Sequence, residues 1–192
     1  MIYVDSALGS VMNSMVYSVT DGRSDAYYLI DIGDYDAAMS ILPKDAQLCG
    51  VFITHGHHDH IIGLNKLKDS YPDCEVFGSV DCARMLSSAK ANLSAYIGSP
   101  FVYEGEVTVL NDGDSVELFR GVYLTAISTI GHNPSCLSFL IENYLFTGDS
   151  YIPGAKVVTN LPGGDKRQAQ ESARKILEMS HDKILCPGHK IT

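Results

Sequence analysis

Short apolar runs separated by polar turns dominate the chain, and their spacing predicts more strands than helices. In the first half, Met15–Thr20 and Ala26–Ile30 flank the polar segment 21–25, a pattern that predicts a β-hairpin. The compact apolar run 48–53 predicts a buried strand, and Glu75–Gly78 predicts a further short one.

Three stretches show helical spacing of their apolar residues. The first, 61–71, is followed by Pro72, which cannot continue a helix. The second, 81–97, has Asp81 as a candidate N-cap. The third, 165–180, carries its apolar residues on or near one stripe and gives the clearest helical pattern in the chain.

The second half of the chain repeats the order of elements found in the first. Further strands are predicted over 108–110, 115–118, Val122–Ser128, Leu137–Ile141, 144–147 and 183–185. Each half therefore reads as strands, then a strand with polar residues at its end, then a helix. We predict an α/β fold with a single domain over residues 1–192. In this αββα four-layer sandwich, two mixed β-sheets pack face to face and helices cover both outer faces.

Composition and charge restrict the kinds of molecule that the chain is expected to bind. Hydrophobic residues make up 45% and charged residues 19% of the 192 residues, which is ordinary for a soluble domain. The net charge of -9 argues against a nucleic-acid partner, because nucleic-acid binding usually needs a basic face. No apolar run reaches the length of a membrane span. A small-molecule substrate is therefore the expected partner, and no feature of the sequence indicates a particular oligomeric state.

The cysteines and the amino terminus indicate a reducing compartment. The cysteines are odd in number and include no C-x-x-C pair, so neither a disulfide framework nor a thiolate zinc site is expected. They are Cys49, Cys74, Cys82, Cys136 and Cys186. The first residues lack the basic region of a signal peptide. We therefore expect a cytoplasmic protein with reduced, mostly buried thiols.

The densest chemistry in the chain is the segment H-G-H-H-D-H, which begins at His55. Imidazole and carboxylate groups are ligands that suit zinc, iron or manganese. In an extended segment His55, His57 and Asp59 share one side, whereas His58 faces away and is expected to be a spacer or to face solvent. His60 breaks this alternation, so we expect the backbone to turn there. One loop can then serve two neighbouring metal positions.

Glycine precedes three more candidate ligands, each at the end of an apolar strand. These ligands are His132, Asp149 and His189. A metal ion needs more ligands than one pair from the loop provides, and packing alone hardly explains the repeated order of strand, glycine and ligand. Within the loop, we expect Gly56 to leave room where a side chain would crowd the ions.

Taken in order, these motifs resemble the metallo-β-lactamase superfamily. The resemblance rests on the H-x-H-x-D-H loop, on the later Gly-His, Gly-Asp and Pro-Gly-His pairs, and on the early L-I-D-I-G segment at 29–33. It is strongest to glyoxalase II-like hydrolases, through the L-P-G-G-D run at 161–165. It covers about residues 13–189 and implies the same sandwich fold.

The resemblance implies a centre for two divalent metal ions, most simply zinc, with iron or manganese as alternatives. The ligands that it assigns to the first ion are His55, His57 and His132. Those that it assigns to the second ion are Asp59, His60 and His189.

Three aspartates receive further roles from the same resemblance. Asp149 would bridge the two ions. Asp59 would orient the nucleophile, as a catalytic residue, as well as bind metal. Asp31 would orient a ligand from outside the coordination sphere.

Three other residues are candidates for substrate contact: Asn133, Tyr151 and Lys156. Turn chemistry explains Asn133 equally well. Glyoxalase II-like proteins tend to carry an arginine where this chain has Val158. True glyoxalase II enzymes also carry a C-terminal helical segment that grips glutathione, and we expect that segment to be missing because the sequence ends three residues after His189. Both departures weaken the case for a glutathione thioester, and a small ester, thioester or lactone fits as well.

The expected reaction is hydrolysis by a metal-bound hydroxide, without a serine or cysteine nucleophile. The competing hypothesis is a persulfide dioxygenase-like oxidoreductase, in which two histidines and an aspartate hold a single iron. Flavodiiron oxygen reductases are disfavoured because they usually carry glutamate where this chain has His57. The complete ligand set argues against a non-catalytic protein, and the acidic net charge argues against the nucleases of the superfamily.

Overall fold

A six-stranded mixed sheet is built from the first 110 residues. The structure, a computed structural model, describes residues 1–190, so the last two residues of the predicted domain lie outside it. The strands of this sheet are β1 (Tyr3–Leu8), β2 (Met15–Thr20), β3 (Ala26–Ile30), β4 (Gln47–Phe52), β5 (Glu75–Gly78) and β6 (Thr108–Val109). They lie in sequence order, antiparallel from β1 to β3 and parallel from β3 to β6. The predicted hairpin of β2 and β3 is confirmed.

The second sheet has five strands and is also mixed. They are β7 (Ser115–Phe119), β8 (Val122–Ser128), β9 (Leu137–Ile141), β10 (Tyr144–Gly148) and β11 (Ile184–Pro187). The spatial order is β11-β10-β9-β8-β7, and only the β10–β11 pair is parallel. The predicted strands 108–110 and 115–118 form β6 and β7, which lie in different sheets, so the turn between them carries the chain from one sheet to the other.

Five α-helices occur within the described residues. They are α1 (Tyr35–Ser40), α2 (His58–Ile61), α3 (Leu64–Ser70), α4 (Val80–Leu86) and α5 (Lys166–Met179). The longest is α5, whose N-cap Asp165 accepts hydrogen bonds from the backbone amides of Arg167 and Gln168 at 2.8 and 2.9 Å. None of the helices in residues 1–190 has the length and apolar character needed to cross a bilayer.

Three layers of apolar packing hold the sandwich together. Between the sheets, Phe52 of β4 stacks on Phe77 with ring centroids 4.4 Å apart and meets Phe139 of β9 edge-on at 5.6 Å. A second cluster joins the outer face of the first sheet to α1, α3 and α4. A third joins Ile127 and Leu145 of the second sheet to Ile176 of α5. The predicted fold of two mixed sheets with helices on the outside is therefore confirmed.

The predicted helix 61–71 is wrong in its bounds. The helical backbone begins earlier, at His58, and is interrupted between α2 and α3. The interruption occurs at Gly63, whose amide donates to the carbonyl oxygen of Ile32 at 2.9 Å. The hydrogen bond to the segment after β3 therefore interrupts the helix at Gly63. The spacing of apolar residues along the sequence gives no sign of this contact.

The predicted helix 81–97 is also too long. Its N-cap is Ser79 and not Asp81, because the Ser79 hydroxyl accepts the hydrogen bond from the Cys82 amide at 3.0 Å. The helix ends at Leu86. Further along, Leu93 takes a left-handed backbone with φ of 69°, which a continuous helix does not allow.

Two elements, β1 and α1, were not predicted. β1 is an edge strand with no fully buried side chain, so its hydrophobic pattern is weak. α1 has six residues, which is too short for a periodic signal, and Asp34 caps it. The five cysteines are free thiols and four of them are buried, as expected.

The packing between the sheets leads to a stability prediction. Replacing Phe52 with alanine should lower the free energy of unfolding by about 3–5 kcal/mol, because it leaves a cavity where the ring packs against Phe77 and Phe139. Urea denaturation of the two proteins measures this difference. Tyr123→Ala, at a half-exposed position of β8, should change stability by no more than about 0.5 kcal/mol. A loss below about 1 kcal/mol for Phe52→Ala would contradict this account of the core.

Candidate metal centre

The carboxyl ends of strands from both sheets meet at one edge of the sandwich. His55 follows β4, His132 follows β8, Asp149 follows β10 and His189 follows β11. Backbone hydrogen bonds hold this edge closed, because the Gly188 amide donates to Gly148 O and the Met15 amide donates to Gly188 O, both at 2.8 Å. Residues far apart in sequence are thereby brought into one cluster.

Three histidines form the first metal position. These are His55, His57 and His132, all buried, with one ring nitrogen of each within 4.8 Å of the others. The closest pair is His57 Nδ1 and His132 Nε2, 2.9 Å apart.

Asp59, His60 and His189 form the second position, again with ligand atoms within 4.8 Å of one another. His189 Nε2 lies 3.3 Å from His60 Nε2 and 3.3 Å from Asp59 Oδ2. Both predicted triads are therefore brought together in space. That they bind metal stays a prediction.

Asp149 lies between the two positions. Its Oδ2 is 3.5 Å from His132 Nε2 of the first position and 3.3 Å from His189 Nε2 of the second. Its Oδ1 is 3.5 Å from His60 Nε2. This is the place that a bridging carboxylate would occupy.

Hydrogen bonds behind the rings of His55 and His60 direct their Nε2 atoms into the cluster. The Thr54 hydroxyl donates to Asp31 at 2.8 Å and so can accept the Nδ1–H of His55 at 3.1 Å. The Nδ1–H of His60 donates to Asp31 Oδ2 at 2.8 Å. These contacts fix the tautomer in which Nε2 carries the lone pair that a metal needs.

Main-chain carbonyl groups fix the tautomer of two other histidines in the same way. His132 Nδ1–H donates to Val158 O at 2.8 Å, and His189 Nδ1–H donates to Met12 O at 3.1 Å. His57 is reversed, because its Nδ1 faces the cluster and its Nε2 lies 3.4 Å from the Asn133 amide nitrogen.

Unpartnered buried atoms show that this set of side chains fits a cation. Among the described residues, His55 Nε2 and Asp149 Oδ1 are buried without a hydrogen-bond partner. A buried polar atom without a partner is costly, and these two atoms face a set of imidazole and carboxylate donors. Such donors suit zinc, iron or manganese. The residues present therefore fit divalent metal.

Burial favours the neutral form of two imidazoles of the first position, His55 and His57. Burial lowers the pKa of His55 well below its ordinary value, and His60 nearby lowers it further. Burial, followed by the effect of His132, lowers the pKa of His57 to about 3. Neutral rings are the form in which histidine binds a metal.

The second position is rich in charge. Burial disfavours charged His60, but the carboxylates of Asp31, Asp59 and Asp149 outweigh it and hold the pKa of His60 well above its ordinary value. Burial likewise opposes charge on His189, and hydrogen bonds to Asp149 and Asp59 raise its pKa to about 10. Burial works against the Asp59 carboxylate too, yet the nearby His60 holds the pKa of Asp59 at about 2. These carboxylates attract positive charge, which a metal ion would supply in place of protons.

The sequence model of the metallo-beta-lactamase superfamily matches residues 11–189. The chain belongs to this superfamily. A hydroxyacylglutathione hydrolase of Erwinia tasmaniensis is 23% identical over 188 residues, which is 97% of this chain and 66% of that relative. The chain spans about two thirds or less of the length of the curated hydroxyacylglutathione hydrolases that it matches.

Solved structures of the superfamily share the fold. The BLEG-1 B3 metallo-beta-lactamase superposes with a TM-score of 0.88 at 22% identity, covering 98% of this chain and 92% of that one. ETHE1 from Myxococcus xanthus superposes with a TM-score of 0.73 at 22% identity, covering 99% and 76%. At these identities the likeness establishes the architecture alone.

Asp31 lies where the superfamily resemblance led us to expect it. Its carboxylate accepts hydrogen bonds from the Thr54 amide at 2.7 Å, from the Thr54 hydroxyl and from His60. Its backbone is left-handed, with φ of 60°, which turns the side chain under the metal loop. The role of Thr54 was not predicted, although its position directly before the loop was a usable signal.

Two expectations about the loop were wrong. His58 does not face solvent but is buried at the start of α2, because the extended alternation ends at His57. Gly56 does not make room for the ions. A β-carbon there would lie 2.6 Å from Met85 Cβ, so the close neighbour is α4. At Gly188, in contrast, a β-carbon would collide with Asp149 Oδ1 and the His60 ring.

The three candidate substrate contacts are in different places. Asn133 is buried, its Oδ1 accepts hydrogen bonds from the Ser135 amide and hydroxyl, and its amide nitrogen lies near His57. Tyr151 and Lys156 line a cavity of about 560 Å³ beside α5, which none of the predicted ligands lines. Asn133 therefore lies beside His57, whereas Tyr151 and Lys156 share a different cavity, and contact of the three residues with substrate stays a prediction.

The contacts of Asp31 generate a prediction about metal affinity. Asp31→Asn keeps the shape and tolerates the left-handed backbone, but its amide cannot accept from all three donors. We expect zinc to bind about 10- to 100-fold more weakly in a chelator-competition titration. Asp112→Asn, an exposed change of the same kind, should leave the affinity unaltered. Wild-type affinity in Asp31→Asn would show that this carboxylate does not orient the ligands.

Proposed function

We propose that this chain is a binuclear metal-dependent hydrolase that cleaves an ester or thioester bond, or a lactone, in a small molecule. Membership of the superfamily supports metal-dependent hydrolysis in general. The two-metal centre, the choice of zinc and the bond that is cleaved are the parts that we infer.

One observation carries the proposal. The Asp149 carboxylate lies between two complete triads of ligands, with Oδ2 3.5 Å from His132 Nε2 and 3.3 Å from His189 Nε2. A shared anion between two positions is the arrangement that a pair of divalent ions requires. Such a pair, when bound, supplies Lewis acidity and lowers the pKa of a water molecule.

The side chains of the cluster have distinct tasks in this proposal. His55, His57 and His132 would hold the first ion, and Asp59, His60 and His189 would hold the second. Asp59 would bind the second ion and would also accept a hydrogen bond from the attacking water and so orient it.

Covalent catalysis by cysteine receives no support. Cys136 follows His132 by four positions, and Cys186 precedes His189 by three. Both are buried, and burial raises the pKa of each thiol to about 12, so both stay protonated near neutral pH. Water is therefore the proposed nucleophile. The buried free thiols also suit a reducing compartment such as the cytoplasm.

The proposed substrate class rests on the similarity to hydroxyacylglutathione hydrolases and on a difference at Val158. A relative named hydroxyacylglutathione hydrolase makes a hydroxyacyl thioester a reasonable member of the substrate panel. Val158 stands where glyoxalase II-like proteins tend to carry arginine, which removes a charge that an anionic thioester would contact. Lys156 is exposed nearby in sequence and partly restores that charge. We therefore favour a small substrate without a strict requirement for glutathione.

A second candidate is a mononuclear iron oxidoreductase that acts on persulfides. It is favoured by the group formed by His55, His60 and Asp149, whose ligand atoms lie within 4.8 Å of one another. Two histidines with one carboxylate are the donor set of many non-haem iron oxygenases.

Metal analysis separates the two candidates. Plasma mass spectrometry on untagged protein, expressed without added metal, should find about two zinc ions, or zinc plus iron, per chain if the hydrolase proposal is right. About one iron with little zinc would favour the oxidoreductase, and oxygen consumption with persulfides would then be the next assay.

A substitution tests the bridging position directly. Asp149→Ala should reduce hydrolysis of the best substrate in an ester, thioester and lactone panel to the buffer rate, and should lower metal content, because both positions lose a ligand. His58→Gln is the matched control, since His58 lies in the same loop but in neither triad, and it should keep its metal. Near-normal turnover in Asp149→Ala would contradict the two-metal mechanism.

A further inference from the structure

His189 is the most exposed ligand of the second position. Its side chain is 18% exposed, compared with 0% for His60 and 8% for Asp59. It follows the last strand, and an isolated bridge to Ser14 ties its backbone to the start of β2. Core packing therefore holds His60 and Asp59 in place but leaves the ring of His189 to be oriented by its hydrogen bonds.

The contact behind the His189 ring comes from an exposed loop. The loop between β1 and β2, residues 9–14, places Met12 O 3.1 Å from His189 Nδ1. A carbonyl oxygen can only accept, so Nδ1 carries a proton and Nε2 is directed to Asp59 and Asp149, each 3.3 Å away. The position of one carbonyl group thus decides where the Nε2 of His189 points.

The loop adopts a backbone that needs to be held. Met12 and Asn13 both have left-handed conformations, with φ of 51° and 58°, which non-glycine residues seldom adopt consecutively. The Met12 side chain is 64% exposed, so packing does not stabilise this shape. The Ser14 amide closes a turn over these two residues by donating to Val11 O at 3.1 Å, and hydrogen bonds at the ends of the loop hold that turn in place.

Asp34 supplies the hydrogen bonds at one end. Its Oδ2 accepts from the Ser10 amide at 2.9 Å and from the Ser10 hydroxyl at 2.6 Å. Its Oδ1 accepts from the amides of Asp36 and Ala37 at 2.9 and 3.1 Å, which caps α1. One carboxylate therefore fastens the loop to a helix end, while the Gly9 amide closes the loop on Ser14 O at 2.8 Å.

We propose that Asp34 is a positioning residue for the second metal position. By holding the 9–14 loop, it keeps the Met12 carbonyl behind His189 and so sets the affinity of that position, without touching metal or substrate. The inference rests on the proposed binuclear function. It predicts that a substitution of Asp34, which lies 24 residues from Ser10 in sequence, weakens metal binding at the second position but not at the first.

The test is a zinc titration of metal-free Asp34→Asn against a coloured chelator. Asparagine can still cap α1 through its side-chain oxygen, but its NH₂ group cannot accept from the Ser10 amide, and the Ser10 hydroxyl would have to accept from that group instead of donating to a carboxylate. We expect the first zinc equivalent to bind as in the wild-type protein and the second to bind at least about 10-fold more weakly. Asp36→Asn is the control, because it removes the same charge from an exposed side chain in the first turn of α1.

A second variant guards against a change in folding. Ser10→Ala loses only the hydroxyl bond to Asp34 and should weaken the second equivalent by a smaller factor, with an unchanged melting temperature of the metal-free protein. Wild-type affinity for both equivalents in Asp34→Asn, or an equal loss of both, would overturn the inference while leaving the hydrolase proposal intact. If the wild-type protein binds one equivalent only, the binuclear proposal and this inference are both wrong.

Discussion

The geometry of the cluster depends on the buried carboxylate of Asp31, which belongs to neither triad. It accepts three hydrogen bonds, two from Thr54 and one from His60, and its own amide donates to Phe52 O at 2.9 Å. A shift of the metal loop relative to β3 would leave buried donors without partners, at a cost of about 1–3 kcal/mol for each. Through Thr54 the same carboxylate also fixes the ring of His55. The pairing of β3 with β4 therefore determines where the two candidate metal positions lie relative to each other.

When no cation is bound, the cluster of histidines and aspartates lowers the stability of the folded chain. Among the described residues, His55 Nε2 and Asp149 Oδ1 are buried in it without a hydrogen-bond partner. Its buried imidazoles and carboxylates contrast with the packed aromatic rings between the sheets. A fold retains such a local conflict where ligand binding relieves it. Binding to the native state alone stabilises it, so metal should raise the melting temperature as well as enable chemistry.

That the candidate ligands come together could be predicted from the sequence, because each one follows a strand or stands in one short loop and the ends of strands meet at one edge. The groups that orient these ligands could not be predicted. Val158 and Met12 act through carbonyl oxygens, which every residue possesses, so no residue type marks them. The error at His58 has a different cause. Alternation of side chains holds only while the backbone is extended, and the helix begins at His58, three residues earlier than the apolar spacing indicates. Gly56 was misjudged because its neighbour, α4, is distant in sequence.

Val158 shows how the superfamily can keep a metal centre while its substrates change. Its main-chain oxygen accepts the Nδ1–H of His132, so its backbone is part of the support of the first position. Its side chain is 47% exposed and takes no part in that contact. An arginine at this position and the valine found here can therefore support His132 equally, while they present different surfaces to a bound molecule. We therefore expect Val158→Arg to alter substrate preference without disturbing metal binding.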